Sequence, residues 1–181
     1  MKKTFSALLF FFAIAFSMFA QDKESEAVML YNDKDLEASK VLFQEILDEN
    51  PNHPNALEYL GNIAFDMREY EKASNYIKSL VDRFPNVARY HFKYAGAIGL
   101  YARDNKMKAL FLIDDIKKHF HKAVELDEKF VDAHLGLVHL YLELPLVFGG
   151  SKTKALHYAK LVEMLDVTAG KEAMRLIAAS N

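Results

Sequence analysis

Cysteine is absent from the 181 residues, which excludes a disulfide framework, a thiolate zinc site, a cysteine nucleophile and a lipid-modified cysteine. Glycine and proline are scarce, with 7 and 4 residues, so a turn-rich β-sandwich is not expected. The formal net charge is −2, and beyond residue 20 the acidic side chains outnumber the basic ones. This balance has the wrong sign for a protein that binds nucleic acid. The composition predicts one mostly helical domain.

Residues 1–20 have the pattern of a secretory signal peptide. Two lysines precede an apolar run from Phe5 to Phe19, and the small residue Ala20 lies at a plausible cleavage point, with Ser17 as an alternative. An uncleaved anchor is the other interpretation, but the run is shorter than the roughly 20 residues that span a bilayer. We therefore expect an exported protein, periplasmic or secreted, whose residues 21–181 form a domain without a membrane span.

An internal repeat follows the signal peptide. Pro51 and Pro85 close similar segments 34 residues apart, and the stretch between them holds small and apolar positions at helical spacing. In order these are Leu57, Leu60, Gly61, Ala64, Phe65, Tyr70, Ala73 and Ile77, with all but the small residues expected to form an apolar stripe. The pattern resembles the tetratricopeptide repeat (TPR), W-x2-L-G-x2-Y…A-x3-F…P. The resemblance implies an all-α solenoid of antiparallel helix hairpins.

Four repeats and a cap account for the rest of the chain. We predict repeats at residues 24–51, 52–85, 86–128 and 129–167, and a capping helix within residues 168–181. The third repeat exceeds the 34-residue period by nine residues, assigned to the start of a helix at Lys106–Leu126. The fourth exceeds it by five, assigned to a loop at Pro145–Gly150 that ends at Ser151 as a helix N-cap.

One part of the array resembles a particular branch of the family. The stretches Phe120-His-Lys-Ala-Val-Glu-Leu-Asp and Val131-Asp-Ala-His-Leu-Gly-Leu are similar to bacterial repeat proteins related to the regulator-of-microtubule-dynamics family. For an exported protein this similarity does not imply a role with microtubules.

No catalytic or metal-binding pattern is present in the sequence. His119 and His121 are two residues apart on a predicted helix and point to nearly opposite sides, and the histidines are interpreted as surface or groove-lining side chains. The Asp114-Asp115 pair is interpreted as part of a solvated helix face, and the Gly149-Gly150 pair as a helix-entry turn. We expect no enzyme, no cofactor and no metal.

The predicted function follows from the resemblance. The first helices of stacked hairpins line a concave groove that binds extended peptides or helices. Phe92 is on the groove side, either to contact a ligand or to pack against a neighbouring helix. The expected lining is Asn55, Glu58, Asn62, Asp66, Arg89, Phe92, Asp132, Leu135 and His139.

A non-catalytic adaptor that binds a protein or peptide partner is therefore the first hypothesis. A self-associating structural subunit of the cell envelope is the second. A metal or ligand binder that uses the Pro145–Ser151 loop with His139 and His157 is the third.

Overall fold

The computed structural model describes residues 22–180. In that range the fold is all-α, with α-helices, one 3-10 turn and no strands. The expected signal peptide at residues 1–20 lies outside the described residues. Within the described range no helix is both long and apolar enough to cross a membrane. The chain divides into two compact units, Met1–Glu69 and Tyr70–Asn181, which are called the first and the second unit below.

Three helices make up the described part of the first unit. Phe43 is fully buried and its ring stacks on Tyr59 at 4.7 Å, and the buried Ser39 hydroxyl donates to the Ala27 carbonyl at 2.8 Å. Lys34 has a φ of 67° in the turn after the first helix. The helices are α1 (residues 22–32), α2 (Leu36–Glu49) and α3 (Pro54–Asp66).

Six helices make up the described part of the second unit, and each packs on the next in the chain. The helix predicted at Lys106–Leu126 has those bounds. Ile113, Ile116, Phe120 and Ala123 on this helix are buried. The helices are α4 (Tyr70–Arg83), α5 (Ala88–Asp104), α6 (Lys106–Leu126), α7 (Val131–Glu143), α8 (Lys152–Leu165) and α9 (Val167–Ala179).

The loop between α7 and α8 contains a 3-10 turn at Leu146–Phe148. Gly149 has a φ of 88°, which favours glycine. A Cβ on Gly150 would lie 1.8 Å from the Leu144 carbonyl oxygen, so only glycine fits there. Ser151 caps α8 by accepting from the Lys154 amide at 3.2 Å, which confirms its predicted N-cap role.

The apolar stripe predicted for the second repeat is wrong at one position. Leu57, Leu60 and Ile77 are buried, but Phe65 is 38% exposed. Ile63 and Ala64, in the same turn of α3, are 1% and 4% exposed, so burial continues to this end of the helix. Phe65 is exposed because it lies about 140° around the helix from the buried Leu60, outside the buried face.

Candidate functional site

The groove residues predicted from α3 lie along one stripe of that helix. Asn55, Glu58, Asn62 and Asp66 are separated by three or four residues, so their side chains lie on one face over about 16 Å. Asn55 and Asp66 are exposed, while Glu58 and Asn62 are half-buried. The stripe thus has polar ends that solvent or a partner reaches readily.

Helix α1 supplies the partners of the two ends of this stripe. The Asn55 amide donates to Glu24 Oε1 at 2.7 Å, and the Tyr31 hydroxyl donates to Asp66 Oδ2 at 3.1 Å. Burial, together with the nearby Asp66 carboxylate, raises the pKa of Tyr31 to about 12. Glu24 and Tyr31 were missed by the sequence reasoning; the only signal available was an aromatic residue, Tyr31, within the first predicted repeat.

In the second unit, the groove residues of α5 are engaged with their own neighbours. Phe92 is half-buried, with its ring centroid 5.1 Å from that of Phe130 and 6.1 Å from that of Phe120. These contacts are the ones that the packing interpretation of Phe92 requires. Arg89 is exposed and its guanidinium lies 5.1 Å over the ring of Tyr90, so it still presents its charge to solvent.

A cavity of about 300 Å³ lies between α7 and α9. Two of the predicted groove residues of α7, Leu135 and His139, line it, whereas the third, Asp132, is exposed and is not in its lining. None of the loop residues Pro145–Ser151 lines this cavity. The full lining is Leu135, Val138, His139, Ala169, Glu172, Ala173 and Leu176.

The α9 side of this cavity was missed because residues 168–181 were interpreted only as a cap. Helix α9 instead contributes Ala169, Ala173 and Leu176, spaced three or four residues apart, which is the spacing of one helix face. Glu172 adds a carboxylate to an otherwise apolar wall. The cavity can therefore accommodate an apolar side chain and place a carboxylate beside it.

Three histidines are buried, which corrects the interpretation of these residues as surface or groove-lining. His91, His119 and His134 are 5%, 6% and 2% exposed. His91 Nε2 is 2.8 Å from the Pro85 carbonyl oxygen, which only accepts, so His91 Nε2 donates and its Nδ1 accepts. His119 Nδ1, 2.8 Å away, is therefore the donor to His91 Nδ1.

Asp115 completes this network between α5 and α6. Its carboxylate accepts from the Tyr94 hydroxyl at 3.2 Å and is 3.4 Å from His119 Nε2, which donates to it only when His119 is protonated. Burial, with the Asp115 charge as a second cause, raises the pKa of Tyr94 to about 12. The interpretation of Asp114-Asp115 as a solvated pair thus holds for the fully exposed Asp114 side chain but is wrong for Asp115.

His121, on the other side of α6, belongs to a separate cluster. Its Nε2 is 2.9 Å from the Tyr141 hydroxyl, and its Nδ1 is 3.3 Å from that of Tyr158. Burial lowers the pKa of His121 because the charged form loses hydration. Because these partners differ from those of His119, the two histidines do point to different sides of α6. Within residues 22–180 no group of three or more histidine, aspartate or glutamate side chains could hold a metal ion.

The comparisons with known proteins agree with this fold. Residues 30–103 match the family model described as "Tetratricopeptide repeat". None of the curated protein sequences matches the chain.

Several solved structures share the fold at low sequence identity. A thermophilic TPR protein from Thermus thermophilus is 21% identical, with a TM-score of 0.67 and coverage of 85% of this chain and 80% of that one. MamA from Desulfovibrio magneticus has the same identity and TM-score, with 82% and 76% covered. YrrB, described as a TPR protein with an unusual peptide-binding site, is 15% identical with a TM-score of 0.63 and 80% and 68% covered.

The 34-residue spacing, the matched residues 30–103 and the shared hairpin fold lead to one conclusion. Residues 30–103 match the tetratricopeptide repeat, and the described part of the chain has the fold of tetratricopeptide repeat proteins.

Proposed function

We propose that this protein is a non-catalytic, exported adaptor that binds a protein or peptide partner through the first helices of its repeats. The observation that carries the proposal is the cavity between α7 and α9, where predicted groove residues lie beside an apolar wall. Support also comes from YrrB, a protein of the same fold for which a peptide-binding site is described. Export is proposed from the pattern of residues 1–20 alone.

The chemistry of the cavity defines the partner segment. A volume of about 300 Å³ is at the lower limit for a small-molecule pocket, and it suits one or two apolar side chains of a peptide. The Glu172 carboxylate lines the same cavity. The exposed Asp132 precedes the cavity residue Leu135 on α7 by three residues. We therefore expect a partner segment that combines a large apolar residue with a neighbouring lysine or arginine.

Introducing a charge into the cavity is expected to abolish partner binding. Leu176 lines the cavity and is 39% exposed, so Leu176→Glu places a carboxylate against the bound apolar side chain without burying it fully in the core. Peptides selected from a displayed random library on the full chain would bind the variant at least about 10-fold more weakly, because burial of one large apolar side chain contributes about 1.5–3 kcal/mol. The dissociation constants are measured by fluorescence anisotropy.

Met164→Glu is the matched control, since Met164 is 82% exposed on α8 and does not line the cavity. It introduces the same charge and should leave peptide affinity unchanged, and circular dichroism checks that both variants fold. Equal weakening by the two variants would place the binding surface elsewhere. A library that yields no peptide containing both an apolar and a basic residue would contradict the proposed partner chemistry.

A further inference from the structure

Both segments that exceed the repeat period carry large apolar side chains that project into solvent. At the start of α6, Met107 is 89% and Phe111 is 85% exposed. In the loop between α7 and α8, Leu146 is 84% and Val147 is 85% exposed. Apolar residues exposed singly are ordinary, but groups of them on a surface mark an interaction site.

The first group belongs to α6, and the loop that carries the second group contacts the same helix. Lys117 on α6 donates through its Nζ to the Phe148 carbonyl at 2.7 Å, which holds the loop against α6. The 56% exposed Leu110 precedes Lys117 by seven residues, and Met107 and Phe111 precede the adjacent Lys118 by eleven and seven residues. At 100° per residue these three apolar side chains lie within about 100° of one another, on the side of α6 that leads to Lys117 and Lys118. The distance along α6 from Met107 to Lys117 is about 15 Å. The apolar side chains of α6 and of the loop therefore form one extended surface.

The loop can enter an apolar medium without leaving these backbone groups unpaired. The amides of Phe148 and Gly150 donate to the Pro145 carbonyl at 2.9 and 3.0 Å, and the Gly149 amide donates to the Leu146 carbonyl at 2.9 Å. The Phe148 carbonyl is satisfied by Lys117. Internal pairing of these groups lowers the cost of moving the loop from water into the lipid interface, because groups that are already paired lose no hydrogen bonds to water there.

Basic side chains border this surface although the chain as a whole is acidic, and one of them, Lys108, pairs with Glu71 at 3.4 Å. Residues 103–118 contain five basic and three acidic side chains, against a net charge of −2 for the whole chain. Lys106 and Lys118 are exposed, whereas after the loop Lys152 donates to the Ser180 carbonyl at 2.6 Å and Lys154 lies 5.0 Å over the Tyr141 ring. Projecting apolar side chains with lysines beside them are the pattern of a protein that lies on an anionic lipid surface.

We propose that the apolar side chains of Met107, Leu110, Phe111, Leu146 and Val147 insert into the interface of an anionic lipid bilayer. A deformable bilayer suits this surface better than a peptide, because the side chains project outwards, whereas peptide grooves are concave. The lysines would contact the lipid headgroups. This membrane contact is peripheral and is additional to the partner surface on α7 and α9.

The absence of cysteine permits a direct test with single labels on the full chain. Phe111→Cys and Val147→Cys each receive an environment-sensitive fluorophore, and the proteins are titrated with vesicles of phosphatidylcholine containing phosphatidylglycerol. Both labels should shift to shorter emission wavelengths, as expected for transfer from water to an apolar environment. Each label reports on its own position, so binding through the apolar residues 5–19 alone would leave both unshifted.

Met164→Cys provides the matched control label. It is 82% exposed and lies at the far end of α8, about 20 Å along the helix from Ser151, so its emission should not change. No shift at positions 111 and 147, or an equal shift at all three positions, would overturn the proposal. A shift that depends on protein concentration and appears without vesicles would overturn it in favour of a contact between two copies of the chain.

The charge contribution is tested with Lys106→Gln combined with Lys118→Gln in the labelled proteins. The phosphatidylglycerol concentration at half-maximal shift should rise roughly fivefold for each lysine removed, while Lys160→Gln with Lys171→Gln on α8 and α9 has a smaller effect. An identical shift with phosphatidylcholine alone, or no difference between the two lysine pairs, would contradict an anionic surface as the occupant.

Discussion

Gly170→Ala is expected to destabilise the protein by about 1–3 kcal/mol, as overpacking does when the backbone must move. A Cβ at position 170 would lie 2.2 Å from the Cα of Glu163, so α8 and α9 would have to separate. Because α9 forms one wall of the cavity, the same change should weaken peptide binding there. Urea denaturation followed by circular dichroism measures the loss of stability.

Gly96→Ala is the control, and its effect should have the opposite sign. A Cβ there meets nothing within 4 Å, and the position is inside α5, where alanine favours the helix over glycine by about 1 kcal/mol. The pair distinguishes a steric effect from helix propensity, since propensity alone would make both variants more stable. Stabilisation by Gly170→Ala would show that α8 and α9 do not approach as closely as described.

Acidification is expected to destabilise the second unit through the histidine pair between α5 and α6. Burial lowers the pKa of His119, the Asp115 charge opposes this shift, and His91, Lys118 and Lys78 add to it. The unfolded chain, with a histidine pKa near 6.5, then binds more protons than the folded chain. The contribution of His119 to the free energy of unfolding is therefore fully present above about pH 6.5. It is lost as the pH falls towards the lowered pKa of His119 in the folded state.

His119→Leu distinguishes the effect of protonating His119 on stability from the effect of losing its hydrogen bond and packing. At pH 8 the variant should be less stable by about 1–3 kcal/mol, because the buried His91 Nδ1 loses its donor. Its stability should however change less between pH 8 and pH 5 than that of the unaltered protein. Thermal unfolding across this range measures both effects. The exposed His157→Leu is the control, and an unchanged pH dependence in His119→Leu would contradict the assignment to this pair.

Helices and their caps could be predicted because their signals are local in the sequence. The bounds of α6 and the Ser151 cap each depend on residues within one or two helical turns. The 34-residue spacing of Pro51 and Pro85 then indicated how such helices repeat. The positions of the two longer segments followed from the same arithmetic.

The burial of polar side chains could not be predicted in this way. A histidine on an apolar face is stable there only if a partner pairs with it, and the partner of His119 is 28 residues away on α5. The pairing of Tyr31 with Asp66, 35 residues apart, is equally non-local. Such pairs depend on how helices pack, which the helical period does not specify.

The longer segments of the third and fourth repeats also change what a partner can recognise. A regular array offers a long ligand several equivalent positions, each displaced from the next by one repeat. Within the second unit, the projecting start of α6 and the loop held by Lys117 make neighbouring repeats unequal. A ligand that contacts the start of α6 or the loop can bind in only one alignment along the repeats. These segments therefore remove the equivalence of binding positions that a regular array would have.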